Sequence, residues 1–256
     1  LCLGNCYDWQ KVSAMIAVLM MFKDEEDIIG RCIDHWAGLG VDHFYLCNNG
    51  STDNSAFEVL DAQLRNCAQF TVTHTIKEDF PQREMINKLK AMAINDGHQW
   101  LFPIDADEFL NIGDIGYTCI RDFINARHHS LFPPHYVCQY QYKNIMPNGV
   151  SWVEPEHKKV FGKFKPEWNI SIGNHQIENV NIFFEIESIW LDHYQYRSYD
   201  QFKRKKITFF KAFEKAGHLD HKFVKEYRLY QQHGEAYLEQ MWDYLLRGVT
   251  DFEFKP

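Results

Sequence analysis

The stretch Trp100-Leu101-Phe102-Pro103-Ile104-Asp105-Ala106-Asp107-Glu108-Phe109-Leu110 decides how this chain is read. Trp100–Ile104 is an apolar run of buried-strand length that passes without a break into carboxylates. Residues two apart on an extended chain point the same way, so Asp105 and Asp107 are expected to converge on one cation at the strand end. Carboxylate oxygens there suit hard Mg2+ or Mn2+, and the carboxyl edge of a parallel sheet is where such folds bind ligands. An EF-hand calcium loop is excluded, because Phe109 and Leu110 stand at its fifth and sixth positions. The apolar residues on both sides argue against a merely solvated turn.

Outward from this stretch, strand and helix patterns alternate. Val12–Phe22 is continuously apolar, as a strand covered on both faces must be. Ile28, Ile29, Cys32, Ile33, Trp36 and Leu39 recur at helical spacing, with acidic residues in the first turn and Gly38 and Gly40 at the exit. His43–Cys47 predicts a second buried strand, ending in the turn cluster Asn48-Asn49-Gly50-Ser51-Thr52-Asp53. Ser55 with Glu58 reads as the capping box of a helix whose inner face is Ala56, Val59, Leu60 and Leu64. Phe70, Val72, His74 and Ile76 have period two, whereas Met85, Leu89, Met92 and Ala93 return to a period of 3.6. A helix around Tyr117–Arg127 and a strand around Tyr136–Tyr142 follow. The alternation predicts an α/β fold with a mixed, mostly parallel sheet flanked by helices. Past residue 150, short strands are expected at Val160–Phe164 and Val180–Ile186. Ser198 and Gln201 then predict a capping box for a helix carrying Phe202, Phe209, Phe210 and Phe213, and a last helix spans about Glu235–Leu246.

Composition narrows the function classes. The 256 residues carry 27 Lys+Arg against 35 Asp+Glu, a net charge of −8, so a global nucleic-acid footprint is excluded. With 45% hydrophobic and 24% charged residues, disordered and collagen-like classes are excluded as well. Val12–Phe22 is about half of the roughly 20 residues a membrane helix needs. Acidic Asp24–Asp27 also stands where a signal peptide would have its small-residue cleavage site. The seven cysteines are scattered with no C-x-x-C pair, which predicts reduced thiols and a cytoplasmic setting.

Four further clusters carry candidate chemistry. Lys23-Asp24-Glu25-Glu26 follows the first strand and Asn48–Asp53 the second, so both loops are expected to face one crevice. Phe80–Lys88 carries the polar residues Arg83 and Asn87 ahead of the acidic stretch. Asp192-His193-Tyr194-Gln195-Tyr196-Arg197-Ser198 precedes the basic run Lys203-Arg204-Lys205-Lys206. The Phe-rich face opposite that run makes peripheral contact with an anionic membrane a further expectation.

Taken together, Phe22 through Ile29, His35-Trp36, Leu39-Gly40-Val41-Asp42-His43-Phe44-Tyr45, Asn49-Gly50-Ser51-Thr52-Asp53 and Trp100 through Leu110 resemble the family-2-like glycosyltransferases of GT-A fold. The closest variety is the branch with a lysine-asparagine-glutamate opening and a D-x-D-E-F signature. The resemblance implies a UDP- or GDP-sugar donor, a glycan or other hydroxyl acceptor as in polysaccharide biosynthesis, and Mn2+ or Mg2+ as cofactor. It assigns the metal to Asp105, Asp107 and His193. It assigns the donor to Lys23, Glu25, Asn48, Asn49, Asp53, Arg83, Asn87, Asp105, Arg197 and Lys205. Arg197 and Lys205 would neutralise the departing diphosphate, and His157-Lys158-Lys159 with His175 would border the acceptor. Two departures stand out: Asp24 replaces the usual asparagine, and Asn48-Asn49 replaces the usual base-contacting aspartate, leaving the donor base open.

The expected organisation is one domain over residues 1–256, with a nucleotide-sugar half at 12–110, an acceptor and metal half at 111–216 and a helical extension at 217–256. An inverting reaction needs a carboxylate to deprotonate the acceptor. Glu154, Glu156, Glu178 and Glu185 are the candidates, and nothing in the sequence chooses among them. A nucleotidyltransferase is the rival enzyme, but it needs a Gly-rich loop that Phe22–Gly30 lacks. A non-catalytic nucleotide- or sugar-binding module of the same fold is the rival from another class.

Overall fold

The computed structural model describes residues 15–76, 81–112, 116–127, 134–180, 183–215 and 222–254. The chain runs β1 (Ile16–Phe22), α1 (Ile29–Gly38), β2 (His43–Asn48), α2 (Ser55–Arg65), β3 (Gln69–His74), α3 (Gln82–Asn95), β4 (Trp100–Ile104), β5 (Glu108–Asn111) and α4 (Ile120–Arg127). It continues through β6 (Tyr136–Ile145), β7 (Ser151–Lys163), a 3-10 turn at Ile172–Asn174, β8 (Phe184–His193), α5 (Tyr199–Lys215), α6 (Lys222–His233) and α7 (Glu235–Leu246). The strands form one sheet in the order β3-β2-β1-β4-β7-β6-β8-β5. Four of its seven neighbouring pairs are parallel, and three, β4/β7, β6/β7 and β5/β8, are antiparallel. This is the mixed, mostly parallel α/β sheet the alternation predicts.

The apolar strands are apolar because both faces are covered. On β1, Ile16, Val18, Met20 and Phe22 pack with α1, α2 and α4, while Ala17 and Leu19 pack with α3. Asp42 closes the start of β1: its Oδ2 accepts from the Ile16 N–H at 2.8 Å, and its Oδ1 accepts from Arg121 at 2.7 Å. Trp36 Nε1 and His35 Nε2 reach the main-chain oxygens of Glu108 and Leu110 at 2.9 and 2.8 Å, so α1 anchors β5 behind the acidic stretch.

Several expectations are corrected. Residues 12–14 lie outside the described residues, and the strand begins at Ile16. On α2 the buried residues are Ser55, Val59 and Ala62, whereas Leu60 and Leu64 are 52% and 78% exposed. α2 packs mainly against α1, so only one stripe of it is covered. Ser55 is not the cap of α2, since Asn54 holds that position; the Ser55 hydroxyl instead accepts from the Glu25 N–H at 2.8 Å. At α5 one half of the capping box is present, with the Gln201 N–H donating to Ser198 Oγ at 3.2 Å. The Gln201 side chain accepts from Arg197 N–H rather than from Ser198. The second half holds two long strands, β7 and β8, that complete the same sheet, and an additional helix, α6.

Met146, Tyr196, Phe202, Phe210, Tyr237, Leu238 and Met241 form a separate apolar cluster under α5–α7. Among the described residues, Cys32, Cys47, Cys67, Cys119 and Cys138 are free thiols, and no helix is long and apolar enough to cross a membrane.

Candidate functional site

The sheet order fixes where a ligand can sit. From β1 the chain adds β2 and β3 on one side and β4 on the other, so the carboxyl ends of β1 and β4 border a topological switch point, the crevice such sheets use. A cleft of about 1710 Å³ opens there, lined among others by Lys23, Glu25, Asn49, Asp105, Asp107 and Lys205.

The two polar loops are laced to each other along its rim. Asp24, in the left-handed region at φ 55°, accepts from the Thr52 N–H at 2.7 Å. Asp53 accepts from the Glu26 N–H at 3.1 Å and from the Ser55 N–H at 2.9 Å, so its carboxylate holds the loops rather than standing free for a ligand. Asn48 Oδ1 accepts from the Ser51 N–H three residues on at 2.8 Å, which commits this side chain to the loop. Asn49 and Lys23 line the cleft.

The acidic stretch does not behave as an extended run. After Ile104 the chain turns, with Glu108 N–H donating to the Asp105 carbonyl at 3.2 Å, so Asp105 and Asp107 part toward different partners. Asp105 accepts from Gln82 Nε2 on α3 and from Lys159 Nζ on β7, each at 2.8 Å. Lys159, only 3% exposed, also pairs with Glu108 Oε1 at 2.8 Å, and Glu108 Oε2 accepts from the Asp105 N–H. Burial works against the charge of Lys159, but Asp105 and Glu108 prevail and hold its pKa above the ordinary lysine value. Burial raises the Glu108 carboxyl, with Lys159 opposing.

Asp107, 2% exposed, accepts from Lys205 Nζ at 2.8 Å, with Arg197 Nη1 at 3.6 Å and His193 Nε2 at 3.5 Å. Burial alone would raise its pKa; Lys205 and His193 overcome that and hold it well below the carboxylate range. Arg197, just before α5, forks onto Asp27 at 2.7 and 2.9 Å and donates to Glu25 at 2.5 Å. Glu25 is pushed up to about 7 by burial and by Asp107, against Lys205 and Arg197. Arg197 is thus committed to the β1 loop, whereas Lys205 faces the cleft.

His193 closes β8 and leads into a polar chain. Its Nδ1 meets Asn144 Oδ1 at 2.7 Å, and Asn144 Nδ2 donates to Glu154 Oε1 at 3.3 Å. Trp152 Nε1 donates to the same oxygen at 3.3 Å, and His157 Nδ1 lies 3.0 Å from Oε2. A register slip between Gln141–Lys158 and Lys143–Val153 explains why Trp152 and Glu154, of even parity, line the cleft together with odd His157 and Lys159. His175 Nδ1 bonds the Lys158 carbonyl at 2.8 Å, and burial lowers its pKa.

The remaining candidates stand elsewhere. Arg83 is paired bidentately with Glu178 at 2.6 Å, and Asn87 bridges the Arg83 and Ile170 carbonyls and the Ile170 N–H, fastening α3 to the segment before the 3-10 turn. Glu185 pairs with Lys158. The Glu156 side chain lies outside the described residues. Sequence reasoning missed Gln82 and Asn144 as members of this centre, because lone amides carry no pattern.

Asp105, Asp107 and His193 were expected to hold a divalent metal. Three of the four carboxylate oxygens accept from a nitrogen donor, Gln82 and Lys159 at Asp105 and Lys205 at Asp107, and the fourth lies 3.5 Å from His193 Nε2. Among the described residues no three His, Cys, Asp or Glu side chains are grouped as a metal ligand set. As arranged, these residues do not fit a divalent ion.

No family model matches the chain, and no curated protein matches it. Solved structures resemble it at low identity. S. aureus TarS (residues 1–349) is 13% identical over 77% of this chain and 65% of its own, with a TM-score of 0.45. The same protein in complex with UDP is 12% identical over the same shares, also at 0.45. Glucosyl-3-phosphoglycerate synthase from Mycobacterium tuberculosis, in complex with Mn2+, UDP and glucosyl-3-phosphoglycerate, is 19% identical over 39% of this chain and 36% of its own, at 0.27. The chain therefore spans just under two thirds of the TarS 1–349 chain, and at these scores the likeness assigns it no activity.

Proposed function

We propose that this chain transfers a glycosyl group from a UDP- or GDP-linked sugar to a hydroxyl of a saccharide or other acceptor. The observation that carries the reading is the switch-point cleft, where the loops after β1, β2 and β4 meet the cationic Lys205 beside buried Asp107. The polar amide of Asn49 on the rim is suited to a nucleobase edge. The Lys205 ammonium is suited to a diphosphate, whose charge grows as the glycosidic bond breaks. Glu154, held by Asn144 and Trp152 and 39% exposed to the cleft, is suited to take the acceptor proton as its oxygen bonds to the sugar carbon. In this step the sugar–diphosphate bond breaks with its electron pair on the leaving oxygen, and the acceptor proton ends on Glu154.

A panel of nucleotide-sugars, scored by thermal stabilisation and then by turnover, tests the reading. At least one donor should stabilise the chain, and Glu154→Gln should cut turnover of that donor by at least about a hundredfold while leaving its affinity in place. Absence of stabilisation by every donor would overturn the proposal.

A further inference from the structure

We infer that this site handles its diphosphate without a divalent cation, with the Lys205 ammonium holding the position of charge beside Asp107. The inference rests on the glycosyl-transfer reading above. A divalent ion needs carboxylate oxygens with free lone pairs and, for Mg2+, a near-octahedral shell. Here Lys159 Nζ lies 2.8 Å from both Asp105 and Glu108, and Lys205 Nζ lies 2.8 Å from Asp107, so two ammonium groups already occupy the anionic oxygens. An ion entering at Asp107 would have to displace one cation while Arg197 stays 3.6 Å away. The displaced Lys205 would remain tethered by α5 within a few ångströms, and like charges at that range repel strongly in a buried site.

The geometry is also suited to the replacement. The side chain of Lys205 is 20% exposed and lines the cleft. Arg204 and Lys225 line the same cleft and extend its positive side. A diphosphate leaving oxygen would therefore meet a fixed cation, and the bond-breaking electron pair would settle beside it with no proton transfer and no metal ligand exchange.

Calorimetry on the full chain with UDP and GDP, in EDTA and then in excess Mn2+, decides the matter. The expected result is a Kd for the preferred nucleotide that differs by less than about threefold between the two conditions. Lys205→Gln, which keeps a donor for Asp107 but removes the charge, should weaken that Kd by at least about tenfold in both conditions, and Lys205→Arg should restore most of it. Circular dichroism melts of both variants separate loss of binding from loss of fold, and Lys205→Met replaces Lys205→Gln if the latter unfolds. Binding that requires Mn2+, or Mn2+ alone titrating into the wild type and not into Asp107→Asn, overturns the inference while leaving the functional reading in place. Binding of neither nucleotide in either condition overturns the functional reading and the inference with it.

Discussion

Glu25 lies between Arg197 at 2.5 Å and the cluster around Asp107, and burial pushes its carboxyl from 4.5 up to about 7. The folded chain thus binds this proton more tightly than the unfolded chain does. Its contribution to stability is fully present below the unfolded value and is lost as pH rises through about 7, which amounts to about 3 kcal/mol across the window. Glu25→Gln should remove that slope, so the variant should gain on the wild type between about pH 5 and pH 8 in melts. Parallel melting curves across that range would show that Arg197 keeps Glu25 ionised throughout. Asp107 has the opposite sign, because Lys205 and His193 hold its pKa well down against burial. Its contribution is present above the unfolded carboxylate value and disappears as pH falls through the folded one. Asp107→Asn should therefore cost about 3–5 kcal/mol at neutral pH, the range for removing one member of a buried pair, and the cost should shrink in acid. Urea titrations of wild type and variant at neutral and acidic pH measure both parts.

Strand β7 joins the parallel half of the sheet to the rest, and it does so through one registered pair, Leu101 with Gly162. Pro103 on β4 supplies no N–H for a further rung, so β4 and β7 meet only briefly. Gly162, at φ 151°, passes so close to β6 that a Cβ there would lie 2.4 Å from the Tyr136 carbonyl oxygen. Gly162→Ala should lower the urea midpoint by the equivalent of about 1–3 kcal/mol. Replacing Ser198 by Ala, which deletes the Gln201 N–H acceptor at the start of α5, should cost about 1 kcal/mol in the same titration. These two elements also show what was legible beforehand. β1, β2 and β4 are readable because burial on both faces leaves an unbroken apolar run, and α5 because the Ser198 cap and the spacing of its phenylalanines agree. β7 and β8 are readable only in part, at Val160–Lys163 and Phe184–Ile186, because register irregularities on both strands break the period of two. Asp105, Asp107, Arg197 and Lys205 are visible as charges at suggestive places. That Lys159 pairs with Asp105, or that Asn144 links His193 to Glu154, depends on strand register, which no local pattern encodes.

Across the whole molecule, α5 is the member through which the C-terminal helices act on the cleft. Consecutive residues on a helix point about 100° apart, so Lys205 can reach Asp107 on the sheet while Lys206 reaches Glu226 on α6 at 3.1 Å. Lys206 and Glu226 are 9% and 8% exposed, and burial opposes the Lys206 charge while Tyr196 and Glu226 sustain it. The apolar cluster of Phe202, Phe210, Tyr237, Leu238 and Met241 presses the same helix from the other side. Glu226→Ala leaves a buried ammonium without its carboxylate and should cost about 3–5 kcal/mol. Replacing both partners, as Lys206→Met with Glu226→Leu, removes the need for a counter-charge and should recover most of that loss, since apolar residues of similar volume often substitute for a buried pair. The recovered double variant should keep its nucleotide Kd within about threefold of wild type, because the apolar cluster still fixes the helix that carries Lys205. A stable double variant with strongly weakened binding would mean that the Lys206–Glu226 pair itself sets the reach of Lys205 into the cleft, and that α6 is part of the site rather than its support.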